Sequence, residues 1–208
     1  GDAILIQSPI NQFVLIDTGS RTYSNTLISY LDDLNVNTIE AFIATHPHED
    51  HIGSVQEIFY EYEIKSVYHP GYYSSTATYA RFISSIESEG CPIYTDEQLD
   101  PGDYISIIPS INCQILNINK DASNANDASI VLRVDYGINS FLFTGDINGD
   151  KGDFVETYIT ENFNVDIDFL KVAHHGSFHA STDYFLDEAT PELSIISCGS
   201  GNSYGHPH

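Results

Sequence analysis

The stretch Ile43-Ala44-Thr45-His46-Pro47-His48-Glu49-Asp50-His51-Ile52-Gly53 is the most informative part of this chain. It follows an apolar strand pattern and precedes a helical one, so four potential metal ligands lie on one strand-to-helix loop. The spacing of His46 and His48 puts both rings on the same side of an extended segment, where they suit a borderline cation such as Zn²⁺. Asp50 and His51 follow where the chain turns and can serve a second ion. A polar loop that is rich in histidine by chance is the alternative, which the flanking strand and helix disfavour.

Two aspartates end other apolar strand patterns. Asp146 follows residues 141–144 and Gly145, whose missing side chain lets the backbone pass close to an ion. Two cations about 3.5 to 4 Å apart repel each other and need a shared carboxylate. Asp146 can supply it, although an ordinary turn aspartate is the alternative. At Asp17 we expect a carboxylate that orients a ligand histidine by accepting its free N–H, or one that stabilises a tight turn.

Histidines end two further strand patterns. His174 and His175 are adjacent, and because adjacent strand residues face opposite ways, we expect only one of them to bind a metal. We favour His175 as the ligand and place His174 beside it, behind the ligands or against the substrate. His206 can complete the second ion site. His69 and His179 lack such a setting, so we predict that neither binds metal.

Strand-length and helix-length apolar patterns alternate along the chain. Strands are predicted at residues 3–7, 13–17, 39–45, 65–68, 104–108, 113–118, 129–135, 140–144, 168–173 and 193–197. Helices are predicted at residues 23–34, 54–62, 78–89, 154–162 and 183–188. This order favours an α/β fold with two mixed sheets and helices outside them, a four-layer αββα sandwich that forms a single domain over residues 1–208.

Composition limits the classes of function. The chain has 30 acidic and 7 basic residues and a formal net charge of −23, which repels polyanions at long range. The sequence contains no run of 18 apolar residues, the length that a membrane-spanning helix needs, and its first residues lack the basic start of a signal peptide. Cys91, Cys113 and Cys198 are widely spaced and odd in number, so we expect core thiols rather than a disulfide framework.

Taken together, these motifs resemble the metallo-β-lactamase superfamily. The resemblance rests on residues 15–19, 45–53, 144–146 and 172–177. A narrower similarity, to the extracellular hydrolase domain of the ComEC DNA-uptake competence proteins and its stand-alone relatives, runs nearly end to end. It rests on residues 1–3, Asn126 with residues 129–132, residues 174–177 with Ser181, and Asn202 with residues 204–207. Those relatives extend beyond both ends of this chain, so we expect it to be trimmed at both ends.

The resemblance implies an αββα fold and metal-dependent hydrolysis, often of phosphodiesters, at the cell surface or outside the cell. Teichoic-acid phosphorylcholine esterases share the double-histidine motif. We expect a hydroxide held between two divalent ions to attack a phosphorus or carbonyl centre. The predicted ligands are His46, His48 and His175 for one ion, Asp50, His51 and His206 for the other, and Asp146 as the bridge. The predicted catalytic residues are Asp50, Asp146 and His174, and Asp17, Ser177 and Asn202 are expected behind the ligands or against the substrate.

Three functions remain open at this stage. The first is a phosphodiesterase or nuclease, with single-stranded DNA as one substrate, in which Tyr68, Tyr72, Tyr73 and Tyr79 could stack on bases unless they form an amphipathic surface. The second is an ester, amide or lactone hydrolase, including a β-lactamase, which suits a chain with only 7 basic residues. The third is a metal-binding module without catalysis, which the complete ligand set disfavours. Zinc is the first expectation for the metal, with manganese and iron as alternatives.

Overall fold

The computed structural model describes residues 1–109 and 111–208, in which strands and helices alternate. The strands are β1 (Ile4–Gln7), β2 (Phe13–Ile16), β3 (Thr38–Ile39), β4 (Ala41–Ile43), β5 (Glu63–Ile64), β6 (Val67–Tyr68), β7 (Ile93–Tyr94), β8 (Tyr104–Ile105), β9 (Asn112–Asn117), β10 (Val131–Tyr136), β11 (Asn139–Phe143), β12 (Phe169–Lys171) and β13 (Leu193–Ile195). The helices are α1 (Ser24–Asp33), α2 (Glu49–Ile52), α3 (Val55–Glu61), α4 (Ala77–Glu89), α5 (Val155–Asn162) and α6 (Asp183–Ala189).

Most of the strands belong to two mixed sheets. The first sheet has the order β1-β2-β4-β6-β7, in which β1 runs antiparallel to β2 and the other neighbours are parallel. The second sheet has the order β13-β12-β11-β10-β9-β8, in which β11, β12 and β13 are parallel and the remaining pairs are antiparallel. Strands β3 and β5 form a separate short parallel pair.

The side chains of β2 show how the layers are stacked. Phe13 and Leu15 pack against helices α1, α3 and α4, whereas Val14 and Ile16 pack against the second sheet. Adjacent strand residues point to opposite faces, so an unbroken apolar run marks a strand that is buried on both sides. On the far side of the second sheet, Leu142 of β11 packs with residues of α5 and α6. The order of layers is therefore helices, sheet, sheet, helices.

Some elements differ from the prediction. The strand predicted at residues 39–45 is broken into β3 and β4, and residues 44–48 form a loop. Helix α2 has only four residues and strand β7 only two, which is too short for a periodic pattern to reveal them. Helix α4 begins where predicted because the Thr76 side chain accepts a hydrogen bond from Tyr79 N, and it ends at Gly90 with a φ of 73°.

The carboxyl ends of five strands are followed by the segments that carry the sequence motifs. Residues 17–19 follow β2, residues 44–48 follow β4, residues 144–146 follow β11, residues 172–176 follow β12, and residues 196–206 follow β13. Ligands of open α/β sheets commonly bind outside the carboxyl ends of the strands. The fold thus brings the motifs together, and none of the helices formed by the described residues has the length and apolar character that crossing a membrane requires.

Candidate metal centre

The Asp146 carboxylate is the point at which histidines from both sheets meet. Its Oδ2 atom lies 3.3 Å from His51 Nε2, 3.2 Å from His175 Nε2 and 3.8 Å from His46 Nε2. Asp50 Oδ2 lies on the same side, 3.4 Å from His175 Nε2. These side chains are buried except for Asp50, which is partly exposed at the mouth of the site. Three segments that are distant in sequence, residues 46–51, Asp146 and His175, therefore present ligand atoms to one small volume.

This arrangement fits divalent cations better than it fits direct hydrogen bonding. The Nε2 atoms of His51 and His175 face each other at 3.3 Å, and Asp146 Oδ1 is buried without a hydrogen-bond partner. Among the described residues, four groups of side chains have ligand atoms within 4.8 Å of one another. Two of them share His51, which lies with His46 and Asp146 in one and with Asp50 and His175 in the other. The other two groups both contain Asp2. Imidazole nitrogens and carboxylate oxygens are the ligands that zinc and related ions accept. The residues present thus fit a metal centre.

The charges of the cluster are strongly coupled. Burial lowers the pKa of His46 well below its usual value, and the nearby charge of His51 adds to this effect. Burial opposes the charge of His51 as well, but the carboxylates of Asp146 and Asp17 outweigh it and raise the pKa of His51 well above the usual value. Likewise, the hydrogen bonds that His175 donates to the carboxylates of Asp146 and Asp50 outweigh burial and raise the pKa of His175 to about 9. Without a cation, protons would hold these rings against the carboxylates.

Asp17 lies directly behind His51. Its Oδ2 atom is 2.7 Å from His51 Nδ1 and accepts a hydrogen bond of 2.7 Å from Thr45 Oγ1, while Oδ1 accepts one of 2.8 Å from Thr45 N. Asp17 is fully buried and has a φ of 57°. A carboxylate that accepts the Nδ1 proton of a histidine leaves the Nε2 lone pair free for a metal. Asp17 therefore orients His51 toward the centre of the site.

Comparison with known proteins identifies the family. The family model for the metallo-beta-lactamase superfamily matches residues 1–104, which is half of the chain. The chain belongs to the metallo-β-lactamase superfamily. Membership confirms the predicted fold class and the assignment as a metallohydrolase.

The relatives of this superfamily member include competence proteins. "ComE operon protein 3" of Bacillus subtilis (strain 168) is 28% identical over 226 residues, which take in 100% of this chain and 28% of that protein. "Competence protein ComA" of Neisseria gonorrhoeae is 26% identical over 211 residues, 100% of this chain and 27% of that protein. The chain spans only about a quarter of the length of these relatives. Among solved structures, the MIM-2 metallo-β-lactamase is 14% identical with a TM-score of 0.57, over 90% of this chain and 79% of that chain, and shows the same fold.

The two adjacent histidines of this metallo-β-lactamase fold do not have the strand conformation that was predicted for them. Strand β12 ends at Lys171, and both His174 and His175 have left-handed backbones, with φ of 48° and 57°. Their rings nevertheless diverge. His175 Nδ1 lies 2.8 Å from the carbonyl oxygen of Ser197 and its Nε2 points into the cluster. The His174 ring lies beside the cluster and not in it. The left-handed backbone of the two residues, and not the alternation of a strand, therefore gives the two rings different surroundings.

Amide side chains hold His174 in place. Its Nδ1 lies 3.3 Å from Asn148 Oδ1, and its Nε2 lies 3.4 Å from Asn126 Nδ2. Asn148 is in turn held by the buried carboxylate of Asp127, which accepts bonds of 2.8 Å from Asn148 Nδ2 and 3.2 Å from Asn148 N. Burial lowers the pKa of His174 to about 4. The ring is therefore a neutral, fixed wall of the cleft.

His48, His206 and Asn202 line the cleft in front of the cluster but belong to none of the four groups formed by the described residues. His48 Nδ1 lies 2.9 Å from His46 Nε2. The His206 ring stacks on Tyr204, and its Nδ1 atom is buried without a hydrogen-bond partner. Asn202 Oδ1 accepts a hydrogen bond from His206 N, and Asn202 Nδ2 donates one to His206 O. Asn202 thus supports the loop that carries His206.

Other predicted residues lie away from the centre. Ser177 is buried, does not line the cleft, and accepts a hydrogen bond from His179 N. His69 is buried against Phe82, and its Nδ1 accepts a hydrogen bond from Gly71 N. Tyr68 is also buried, stacked on Tyr94, so the prediction that it could stack on a base is wrong.

Sequence reasoning missed several residues of the site. Asn148 and Asp127 fix His174, as described above, and no spacing rule marks them. Cys198 was expected in the core, but it is exposed and lines the cleft. Lys171 and Asp2 form a buried ion pair behind Asp146. A lysine inside the apolar pattern of residues 169–173 was the available signal for this pair.

Proposed function

We propose that this chain is a phosphodiesterase that uses two divalent cations, zinc in the first place, held between the carboxyl ends of its two sheets. The observation that carries the proposal is the convergence of three histidine Nε2 atoms on Asp146 Oδ2, at 3.2, 3.3 and 3.8 Å. When bound, a pair of divalent ions activates water as a nucleophile and stabilises the attacking and leaving oxygens of a displacement at phosphorus.

The proposed ligands start from the two groups that share His51, with Asp146 placed between the ions and His48 added from the wall of the cleft. His46 would hold one ion with His48, which lies at the open side of the cluster. Asp50 and His175 would hold the other ion with His51. This allocation differs from the sequence-based one in placing His175 beside Asp50. His206, on the wall of the cleft, is proposed as a further ligand of the second ion.

The cleft in front of the ligands supplies the binding groups for substrate. Its volume is about 330 Å³, enough for a small group or one unit of a polymer. The amide of Asn126 and the neutral ring of His174 stand side by side on its wall. Asn126 Oδ1 is buried without a hydrogen-bond partner, so the amide has an acceptor that the other described residues leave unused. We propose that these two residues orient the leaving portion of the substrate.

The similarity to competence proteins supports a phosphodiester substrate and a location at or outside the cell surface. Both relatives described above match the whole chain, and one carries competence in its name. Competence is the uptake of DNA, which makes single-stranded DNA the polymer to test first. Tyr204 lines the cleft and is 77% exposed, and an exposed aromatic ring of this kind can stack on a base.

A second candidate is an ester, amide or lactone hydrolase. The observation that favours it is the chemistry of the cleft wall, because no lysine or arginine is among the described residues that line it. Binding to a polyanion normally depends on such groups. A small neutral substrate would need none of them. Binding of metal without turnover, the third function considered above, is an outcome that the same experiment would reveal.

The test compares wild type with Asp146→Asn, which keeps the shape of the side chain and removes its charge. Bound metal is counted per chain, and hydrolysis is followed on bis-p-nitrophenyl phosphate, single-stranded DNA, a lactone and a β-lactam. We expect two ions in wild type, phosphodiester cleavage, and loss of both metal and cleavage in the variant. Asp150→Asn is the matched control, since Asp150 is exposed and pairs with His179 away from the cluster.

Cleavage of the lactone or β-lactam alone would favour the second candidate. Two ions without turnover of any substrate would favour the metal-binding module. A wild-type protein that binds no metal at all would refute the proposal.

A further inference from the structure

The ion pair of Asp2 and Lys171 lies behind the cluster and is unusual in being wholly buried. Asp2 Oδ2 lies 2.5 Å from Lys171 Nζ, and the two side chains are 1% and 5% exposed. Isolated charges are costly to bury, and a buried pair is weak evidence for a contribution to stability. Its position in the fold suggests another role.

The Asp2–Lys171 pair connects the two sheets at the level of the proposed ligands. On the side of the first sheet, Asp2 N donates a hydrogen bond of 3.1 Å to the carbonyl oxygen of Asp50, and Asp2 O accepts one of 2.6 Å from Gly19 N. On the side of the second sheet, Lys171 Nζ donates a hydrogen bond of 3.1 Å to the carbonyl oxygen of Gly145. The pair therefore links the backbone of Asp50, which is a proposed ligand, to the backbone of Gly145, which directly precedes the proposed ligand Asp146.

We infer that the Asp2–Lys171 pair is a positioning device that sets the distance between the two halves of the metal centre. This inference rests on the proposed ligand set. Four of the seven proposed ligands follow strand β4 of the first sheet and three follow strands of the second sheet, so a small shift of one sheet against the other would spread them apart. Mutation of residues that hold metal ligands in place typically lowers metal affinity by 10- to 100-fold.

An explanation by charge alone makes different predictions. Lys171 Nζ lies 3.9 Å from Asp146 Oδ1, and a positive charge beside a cation site opposes cation binding. By charge alone, Lys171→Met would therefore tighten metal binding. By charge alone, Asp2→Asn and Asp2→Ala would have equal effects, because both remove the same carboxylate.

The test measures the affinity of both ion sites for Zn²⁺ by competition with a chromophoric chelator, with no substrate present. Asp2→Asn keeps an oxygen that accepts from Lys171, whereas Asp2→Ala removes the link. We expect Asp2→Ala to bind Zn²⁺ about tenfold more weakly than Asp2→Asn, and Lys171→Met to bind it more weakly than wild type. Urea denaturation of each metal-free variant establishes that the variant is folded, so that its Zn²⁺ affinity can be compared with that of folded wild type. Lys120→Met is the control, since Lys120 forms a partly exposed ion pair with Asp96 at 3.7 Å, and neither residue lines the cleft.

Equal affinities of Asp2→Ala and Asp2→Asn, or tighter binding by Lys171→Met, would overturn the inference. If Asp2→Ala does not fold, the sign of the change in Lys171→Met decides alone. A purely structural role would lower the denaturation midpoint and leave the Zn²⁺ affinity of the folded protein unchanged. Wild type that binds two ions but cleaves no phosphodiester would refute the proposed function and leave this inference standing.

Discussion

The orientation of His51 by Asp17 gives the sharpest single test of the site. In Asp17→Asn, the amide oxygen can still accept from Thr45 N, which lies 2.8 Å from Asp17 Oδ1. The amide NH₂ then faces His51 Nδ1, at the 2.7 Å distance now bridged by a proton. Because two donors cannot share that contact, His51 must give up its Nδ1 proton and carry one on Nε2 instead. That nitrogen is then unavailable to a metal.

The expected loss of metal affinity is about 10- to 100-fold, the usual effect of removing the partner of a ligand histidine. This corresponds to about 1.4 to 2.7 kcal/mol. The metal-free variant should also lose about 1 to 2 kcal/mol of stability, since charged hydrogen bonds become neutral ones. The affinity is measured by chelator competition and the stability by urea denaturation.

Asp32→Asn is the matched control, since Asp32 accepts a hydrogen bond of 2.8 Å from Tyr62 OH away from the site. If Asp17→Asn binds metal as tightly as wild type, Asp17 does not set the tautomer of His51 and the reasoning is wrong.

Two further predictions concern pH and backbone. Metal must displace the proton of His175, whose pKa is raised to about 9, so the logarithm of the metal affinity should rise by at least about one per pH unit from pH 7 to pH 9. Above pH 9 His175 should no longer contribute to this slope, and the proton of His51, whose pKa is also raised, accounts for any further rise. A flat profile in chelator titrations would contradict this. The same raised pKa of His175 stabilises the chelator-treated protein fully below its unfolded value near 6.5, and this stability should be lost as pH rises through 9 in urea melts. Gly145→Ala should lose about 2 to 5 kcal/mol, because a Cβ there would lie 2.8 Å from Ser129 Cβ at a φ of 54°. Gly137→Ala, with a φ of 64° and nothing within 4 Å, should lose only the backbone part, and equal losses in the two variants would show that the clash is relieved elsewhere.

Sequence patterns predicted the order of the layers well because a strand that is buried on both faces has an unbroken run of apolar residues. Strands such as β2 and β4 are unbroken apolar runs, and the helices between them repeat apolar residues at helical spacing. The convergence of His46, His51 and Asp146 also follows from topology, since His46 and Asp146 lie just after strands β4 and β11 and His51 lies in the short helix α2 that follows β4. What the patterns could not supply is the contact between specific side chains of different sheets.

The Asp2–Lys171 pair illustrates that limit. The two residues are 169 positions apart, and nothing local to either one indicates the other. Cys198 and Ser177 illustrate it differently. Residue type suggests a core thiol at Cys198, but the loop after β13 places it in the cleft. Ser177 is expected behind the ligands or against the substrate, and the loop after β12 buries it outside the lining of the cleft. Burial within a loop depends on tertiary contacts that no period in the sequence encodes.

His174 and His175 have a strained, left-handed backbone that determines where their two rings lie at the candidate metal centre. A left-handed backbone costs an ordinary residue roughly 1 to 2 kcal/mol, and here two such residues precede Gly176, itself at a φ of 75°. The turn persists because His174 N donates to the carbonyl oxygen of Gly145 and Ser177 N donates to that of His174. An extended strand would send the two rings to opposite faces of the sheet, whereas this turn keeps both at its edge. Strain held in place by surrounding contacts is common at functional sites, and here it places one ring among the proposed ligands and the other on the wall of the cleft.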